Sequence, residues 1–267
     1  MLFSSTSTAN GDCGRASIIL ASKDKHQVRV HSLRTNALGD VFVRVFQFED
    51  EFSHTHPVVA LTVGNNFDRM VPLVRVHSRC LYGEVFGSLD CDCLPQLQLT
   101  WQAFIHEKSG ILIYLEQEGR GCGLISKATA YEMRQEEGLD TVEAYRRLGL
   151  PLDARQYSTA AVILKELGLD NVRLLTNNPA KISGLVAAGI GVQPVHLRSE
   201  PTKWNHDYLV VKQVKLGHDL GFGADQSSGQ WEDWRGRGGP WKDPRNVVVR
   251  PREQFEGDWR GLGGIPQ

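Results

Sequence analysis

Three of the five cysteines in this 267-residue chain crowd into one stretch, as Cys80, Cys91 and Cys93. Thiolates are strong ligands for zinc, and three protein ligands leave a fourth position open for water. Zinc with such an open position lowers the pKa of its water to about 7, which makes hydrolysis accessible at neutral pH. His77 lies three residues before Cys80 and offers a fourth ligand, which would close the shell into a structural site. Spacing alone leaves catalytic and structural zinc evenly matched, with plain packing of buried thiols as the third reading. Cys13 and Cys122 fall outside the cluster and read as free thiols, and His54 and His56 as residues of an exposed loop.

Three further segments carry groups suited to an anion. Gln117-Glu-Gly-Arg-Gly-Cys-Gly123 follows an apolar run and opens a helical pattern. Glycines there let backbone N–H groups approach an anion at a helix N-terminus, and Arg120 can grip phosphate bidentately. The segment lacks Walker spacing, so it is no P-loop, and an ordinary tight turn is the competing reading. In Leu174-Leu-Thr-Asn-Asn-Pro-Ala-Lys181 a strand gives way to a helix, the place where α/β folds bind ligands. Thr176 and Lys181 are the candidates there, while Asn178 also serves as a plain helix cap. Asp153 and Arg155 sit two apart in a loop, as a general base with its neighbour or as a surface ion pair.

These groups need elements to hold them. Val41, Val43 and Val45 alternate as in a strand, and Val58 to Val63 and Val71 to His77 form two more apolar runs. From Leu94 the period becomes helical, ending near Gly110, and Ile111 to Leu115 reads as a buried strand. A helix runs from the glycine turn to about Gly138, and Asp140 or Thr141 caps another. Ser158 caps a third that stops at Gly168, Val172 to Thr176 is a strand, and Asn178-Pro179 starts a helix. Ile190 to Leu197 reads as a strand and Asp207 to Leu220 as a last helix. An α/β fold with mixed sheets and flanking helices follows.

Composition sets the limits. Thirty basic and 31 acidic residues give a net charge of −1, so no global attraction to nucleic acid or membrane follows. No apolar run reaches the roughly 18 residues of a membrane helix. The expected location is cytoplasmic, which the clustered, odd-numbered cysteines support over a disulfide framework. Residues 1–27 read as a flexible extension, 28–221 as the catalytic domain, and 222–267 as a Gly/Trp/Arg-rich tail. The tail holds Trp231, Trp234, Trp241 and Trp259 but too few aliphatic residues for a core. Arg–Gly segments with aromatics can stack on RNA, yet a loosely docked tail is the preferred reading.

Taken together and in order, the segments VRVHSRCLYGEVFGSLDCDC, YLEQEGRGCGL, AYEMRQEEGLDTVEA, LDARQY, VRLLTNNPAK and YLVVKQVKLGH resemble the GTP cyclohydrolase II family. The resemblance runs from about Leu33 to Gly221. It implies catalytic zinc on Cys80, Cys91 and Cys93. It implies GTP contacts from Arg75, Val76, His77, Ser78 and Arg79, and from Gln96, Glu118, Gly119, Arg120, Thr141, Thr176 and Lys181. Asp153 matches a proton acceptor, Arg155 a proposed nucleophile toward the phosphates, and Tyr131 a tyrosine near the reacting ring. An arginine is a poor nucleophile at its normal pKa, so charge stabilisation is physically easier for Arg155. The implied reaction is hydrolytic opening of the guanine imidazole ring, with release of formate and pyrophosphate and with Mg2+ on the phosphates. The product would be a diamino-(phosphoribosylamino)-pyrimidinone, the first intermediate of riboflavin synthesis, made by a homodimer. Paralogues of the family that stop at the formylated product, or serve uracil degradation or specialised metabolism, are the alternatives, as is a non-catalytic nucleotide binder with structural zinc. The chain departs from the family pattern at Arg79, where Glu is usual, at Glu116, where Arg is common, and at Cys122 and Ser126, where Ile and Asn are common.

Overall fold

The computed structural model describes residues 27–49, 55–64, 67 and 70–221. Most of the N-terminal extension with Cys13, the residue His54 and the Trp-rich tail lie outside the described residues, and His56 is described in its backbone only.

Among the described residues, seven strands form one mixed sheet. They are β1 (Gln27–Thr35), β2 (Gly39–Glu49), β3 (Thr55–Val63), β4 (Leu73–Ser78), β5 (Gly110–Leu115), β6 (Asn171–Leu175) and β7 (Gly191–Val195). Their spatial order is β1-β2-β3-β5-β4-β6-β7. The first three and β5 pair antiparallel, while β5, β4, β6 and β7 run parallel. The helices are α1 (Leu81–Glu84), α2 (Cys93–Glu107), α3 (Gly123–Glu137), α4 (Thr141–Arg147), α5 (Ser158–Glu166), α6 (Pro179–Ala187) and α7 (His206–Leu216).

The central strands β4 and β5 are buried almost throughout, as parallel strands covered on both faces are, with Arg75 and His77 buried among the apolar residues of β4. Their alternation sends Val74, Val76, Ile111 and Ile113 to one face, against Ala160, Ile163 and Leu164 of α5 and Leu185 of α6. Leu73 and Leu112 go to the other face, against Leu99, Ala103 and Phe104 of α2. A side chain at Gly110 would collide with the Phe104 ring, its Cβ falling 2.1 Å from Phe104 Cδ1, so the turn from α2 into β5 requires glycine there. A smaller cluster, Ala130, Ala144 and Tyr145, joins α3 to α4.

The helix punctuation follows the sequence closely. Asp140 accepts from the amides of Val142 and Glu143 in a full capping box. Asn178 accepts from Ala180 N, with Pro179 in the first helical position. Gly138 ends α3 in the left-handed region at φ 71°. Ser158 is a correction. It is the first helical residue, Tyr157 stands at the cap, and no side chain caps α5. The buried Tyr157 ring fixes the chain's entry to the helix instead.

Every element of chemical interest leaves the sheet at one edge. Strand β4 leads into Cys80, β5 into the glycine turn and β6 into Thr176, so the carboxyl ends of three adjacent parallel strands meet.

Candidate metal centre and anion pocket

The sulfur atoms of Cys80, Cys91 and Cys93 lie within 4.8 Å of one another, and among the described residues they form the group able to hold a metal ion. Cys80 caps α1, its sulfur accepting from Gly83 N at 3.4 Å, and Cys93 opens α2. Gly83 packs against all three: a Cβ there would stand 2.7 Å from Cys91 Sγ, 3.2 Å from Cys93 Cβ and 3.3 Å from Cys80 Sγ. Any larger residue would push into the cradle. The thiols of Cys91 and Cys93 donate to Cys80 and hold its thiol far below the usual range, with Lys127 adding to this. The Cys80 thiolate in turn pushes the Cys91 and Cys93 thiols up. Three thiols that resist joint ionisation are what a divalent cation reconciles, and the set fits zinc.

His77 does not join them. Its Nε2 donates to Glu84 Oε1 at 2.8 Å, and the same carboxylate accepts from Cys80 N at 2.8 Å and Tyr114 OH at 2.7 Å. Burial pushes the imidazole below its ordinary pKa, so it stays neutral. The closed Cys3His shell is therefore not formed.

The three cysteines line one open cavity with Arg75, Arg120, Arg155, Thr176 and Lys181. The glycine turn supplies its most telling group. Arg120 adopts φ 55°, a left-handed conformation that costs a non-glycine residue about 1–2 kcal/mol. Ala154 N donates to Arg120 O at 2.9 Å and so pins this backbone to the Asp153 loop. The guanidinium lies over the Tyr145 ring, 5.5 Å from its centroid, and both terminal nitrogens are buried with no hydrogen-bond partner.

Four other cations of the cavity are already engaged. Arg75 donates to Leu175 O at 2.9 Å and to Gln96, and burial lowers its pKa to about 10. Lys181 donates to Val76 O at 2.7 Å, and burial, with Arg75 and Arg155 nearby, pushes it well below its ordinary value. Lys127 reaches Glu118 at 2.8 Å and Cys80 Sγ at 3.2 Å; those anions outweigh burial and hold it above the usual lysine range. Arg155 forms a two-pronged pair with Asp153, at 2.8 and 2.6 Å. Burial opposes both charges, yet the pairing raises Arg155 and lowers Asp153. A guanidinium so held has no free lone pair to offer.

Of the residues singled out in sequence, Ser78, Arg79, Gln96, Glu118, Gly119, Thr141 and Tyr131 also line the cavity. Val76 and Asp153 stand behind it. Val76 is fully buried and offers its carbonyl, and Asp153 acts on the cavity through Arg155. Tyr131 packs edge-on to Tyr82, 5.3 Å between centroids, and burial pushes its phenol up, so it is a donor. Arg79 donates to Glu116 at 2.8 Å, so two residues that sequence reading singled out as departures form one ion pair at the rim. Sequence reading missed Lys127, Tyr145, Lys212 and His218, all of which line the cavity. Lys127 could have been found, since it lies one turn into the helix that the glycine turn opens.

The fold and the site define an α/β domain that sets three convergent thiols, able to hold a metal ion, beside a cavity lined with cations at the strand ends. The GTP cyclohydrolase II family profile matches residues 25–196, and the chain belongs to that family. The chain is 50% identical over 163 residues to the riboflavin biosynthesis protein RibBA of Bacillus mycoides strain KBAB4, covering 61% of this chain and 41% of that protein. The same figures hold for RibBA of Bacillus cytotoxicus. RibBA of Bacillus cereus strain G9842 is 52% identical over 149 residues, 55% of this chain and 37% of its own. The chain thus matches about two-fifths of the length of these curated relatives.

Proposed function

We propose that this domain opens the imidazole ring of GTP by zinc-dependent hydrolysis, releasing formate and pyrophosphate, as the entry step of riboflavin synthesis. The observation that carries the reading is the single cavity shared by three convergent thiols and the partnerless Arg120 guanidinium. Family membership supports GTP as the substrate, and the relatives' riboflavin names support the pathway.

Cys80, Cys91 and Cys93 would hold the zinc, which supplies Lewis acidity toward water when bound. The remaining work falls to the chain itself. One water adds to the imidazole carbon and a ring C–N bond breaks; a second releases that carbon as formate; a third takes up the phosphoryl group as pyrophosphate leaves. Arg120 would grip the triphosphate, which arrives with Mg2+, and Arg155 would offset charge developing on it. Asp153 fixes the Arg155 guanidinium, which suits charge stabilisation better than nucleophilic attack. Tyr131, protonated, can donate to the reacting ring. Arg75, Val76, His77, Ser78, Arg79, Gln96, Glu118, Gly119, Thr141, Thr176 and Lys181 would shape the contacts to base, ribose and phosphates. We also propose that the protein works in the cytoplasm as a homodimer.

The test is purified protein with GTP, Zn2+ and Mg2+, followed by formate, pyrophosphate and product mass. All three products are expected. No consumption of GTP overturns the reading, and a product that keeps its formyl group identifies the partial reaction instead. Cys91→Ser is expected to abolish zinc retention and turnover together.

A further inference from the structure

Asp92, between two of the thiols, is the unusual member of the metal segment. It stands at the N-cap of α2, where an aspartate ordinarily bonds the first helical amides, yet its side chain makes no such bond. It turns inward and is 1% exposed. There one carboxylate oxygen accepts from Lys212 Nζ of α7, and the other from Gln96 Nε2. Lys212 is itself buried, with its ammonium over the Tyr208 ring at 4.6 Å.

The bonds continue in one line. Gln96 accepts from Arg75, and Arg75 donates to Leu175 O at 2.9 Å, at the end of β6. A buried chain therefore joins α7, the Cys91–Cys93 segment, β4 and β6. Its electrostatics favour the same arrangement. Three thiolates exceed a zinc dication by one negative charge, and Lys127 stands between Cys80 and Glu118, its single positive charge shared by both. Asp92 adds a further buried anion among the ligands, and Lys212 offsets it. A buried carboxylate left without its partner would be strongly unfavourable and would drive the segment to rearrange.

We propose that Lys212 is a positioning residue of the metal centre: by holding Asp92 it fixes the backbone that presents Cys91 and Cys93, so that α7 acts as a clamp on metal retention. The inference rests on the reading of the three cysteines as a zinc site. Groups that orient ligands from behind typically change metal affinity by about 10–100-fold when lost.

The test measures zinc release from the loaded protein to a chromogenic chelator, together with the visible spectrum of the cobalt-substituted protein. Lys212→Met and Asp92→Asn are each expected to speed release by at least about tenfold and to shift the cobalt bands. The double variant should release zinc no more than about twofold faster than the faster single one, because the two act along one line. Lys212→Arg, which keeps the charge, should recover most of the retention. Should Lys212→Met fail to fold, Asp92→Asn, nearly identical in shape, carries the same readout. Unchanged release and cobalt spectrum in either folded single variant, or additive effects in the double, would overturn the inference. A wild-type protein that takes up no zinc would overturn the zinc reading itself, and this inference with it; zinc retained equally by wild type and variants overturns the clamp alone.

Discussion

Arg120→Met should weaken binding and strengthen the fold at once. In the structure the guanidinium is buried over Tyr145 with both terminal nitrogens unbonded. A buried donor without a partner costs about 1–3 kcal/mol. Methionine removes that cost while keeping much of the aliphatic packing, and it forfeits about 0.5–1 kcal/mol of cation–ring attraction. The difference leaves the variant more stable by about 0.5–2 kcal/mol, or a few degrees in melting temperature. On the ligand side, a hydrogen bond to a charged group contributes about 1.5–3 kcal/mol, so loss of one contact to phosphate weakens binding roughly 10–150-fold. The assay pairs thermal melts with equilibrium binding of a non-hydrolysable GTP analogue, GMP and guanosine. The loss should be largest for the triphosphate and nearly absent for guanosine. An equal loss for all three, or a melting temperature that falls, would refute the assignment of Arg120 to the phosphates.

Three further perturbations separate the parts of the site. Arg79→Glu should impair turnover by setting two acids together at the rim, and Arg79→Glu with Glu116→Arg should restore it, since the pair is one unit at 2.8 Å; no recovery in the double variant would deny the coupling. Gly121→Ala should cost about 1–2 kcal/mol in denaturant titrations and lower activity. The residue sits at φ 87°, and a Cβ would meet Ala154 C at 2.9 Å and Arg155 N at 3.0 Å, prising the glycine turn off the Asp153 loop; an unaffected variant would deny that contact. His218 is held neutral, chiefly by burial and then by Lys212 and Arg155, with its pKa lowered from 6.5 to about 3. Between those values the unfolded chain binds the extra proton. Stability from this group is therefore complete above pH 6.5 and falls with pH below it, by up to about 1.4 kcal/mol per unit. His218→Gln should flatten that part of the stability profile, and an unchanged slope would remove His218 as its source.

Apart from the Ser158 cap, the sequence made legible what depends on local spacing. The three cysteines, the glycine turn, the Asp140 cap and the Asn178-Pro179 helix start all lie where pattern alone put them, because each is decided within a few residues. Groups decided by distant neighbours were not legible. His77 looked like a fourth ligand because it is three residues from Cys80. It lies on β4, whereas Cys80 lies beyond the strand end, and Glu84 claims its ring. Lys212 is separated from Asp92 by 120 residues, and nothing in an amphipathic helix pattern marks one lysine as buried. Arg79 and Glu116 read as two unrelated departures until the parallel pairing of β4 with β5 set their strand ends side by side.

That difference bears on how the cavity discriminates. Eight arginine and lysine side chains line it, among them Arg75, Arg120, Lys127, Arg155, Lys181 and Lys212. Five spend hydrogen bonds on internal acceptors, namely Gln96 and the Leu175 carbonyl, Glu118, Asp153, the Val76 carbonyl and Asp92. Those five set a positive potential in fixed positions, so little reorganisation is needed as charge develops on a bound anion. The terminal nitrogens of Arg120 are buried with all their donors unspent. A field that is shared and a grip that is concentrated have different consequences under mutation. Removing Arg75, Lys181 or Lys212 frees a buried acceptor and harms the fold as well as the reaction, whereas removing Arg120 relieves the fold and harms recognition. The opposite sign of its stability effect is what marks a binding residue in a cavity where charge alone marks none.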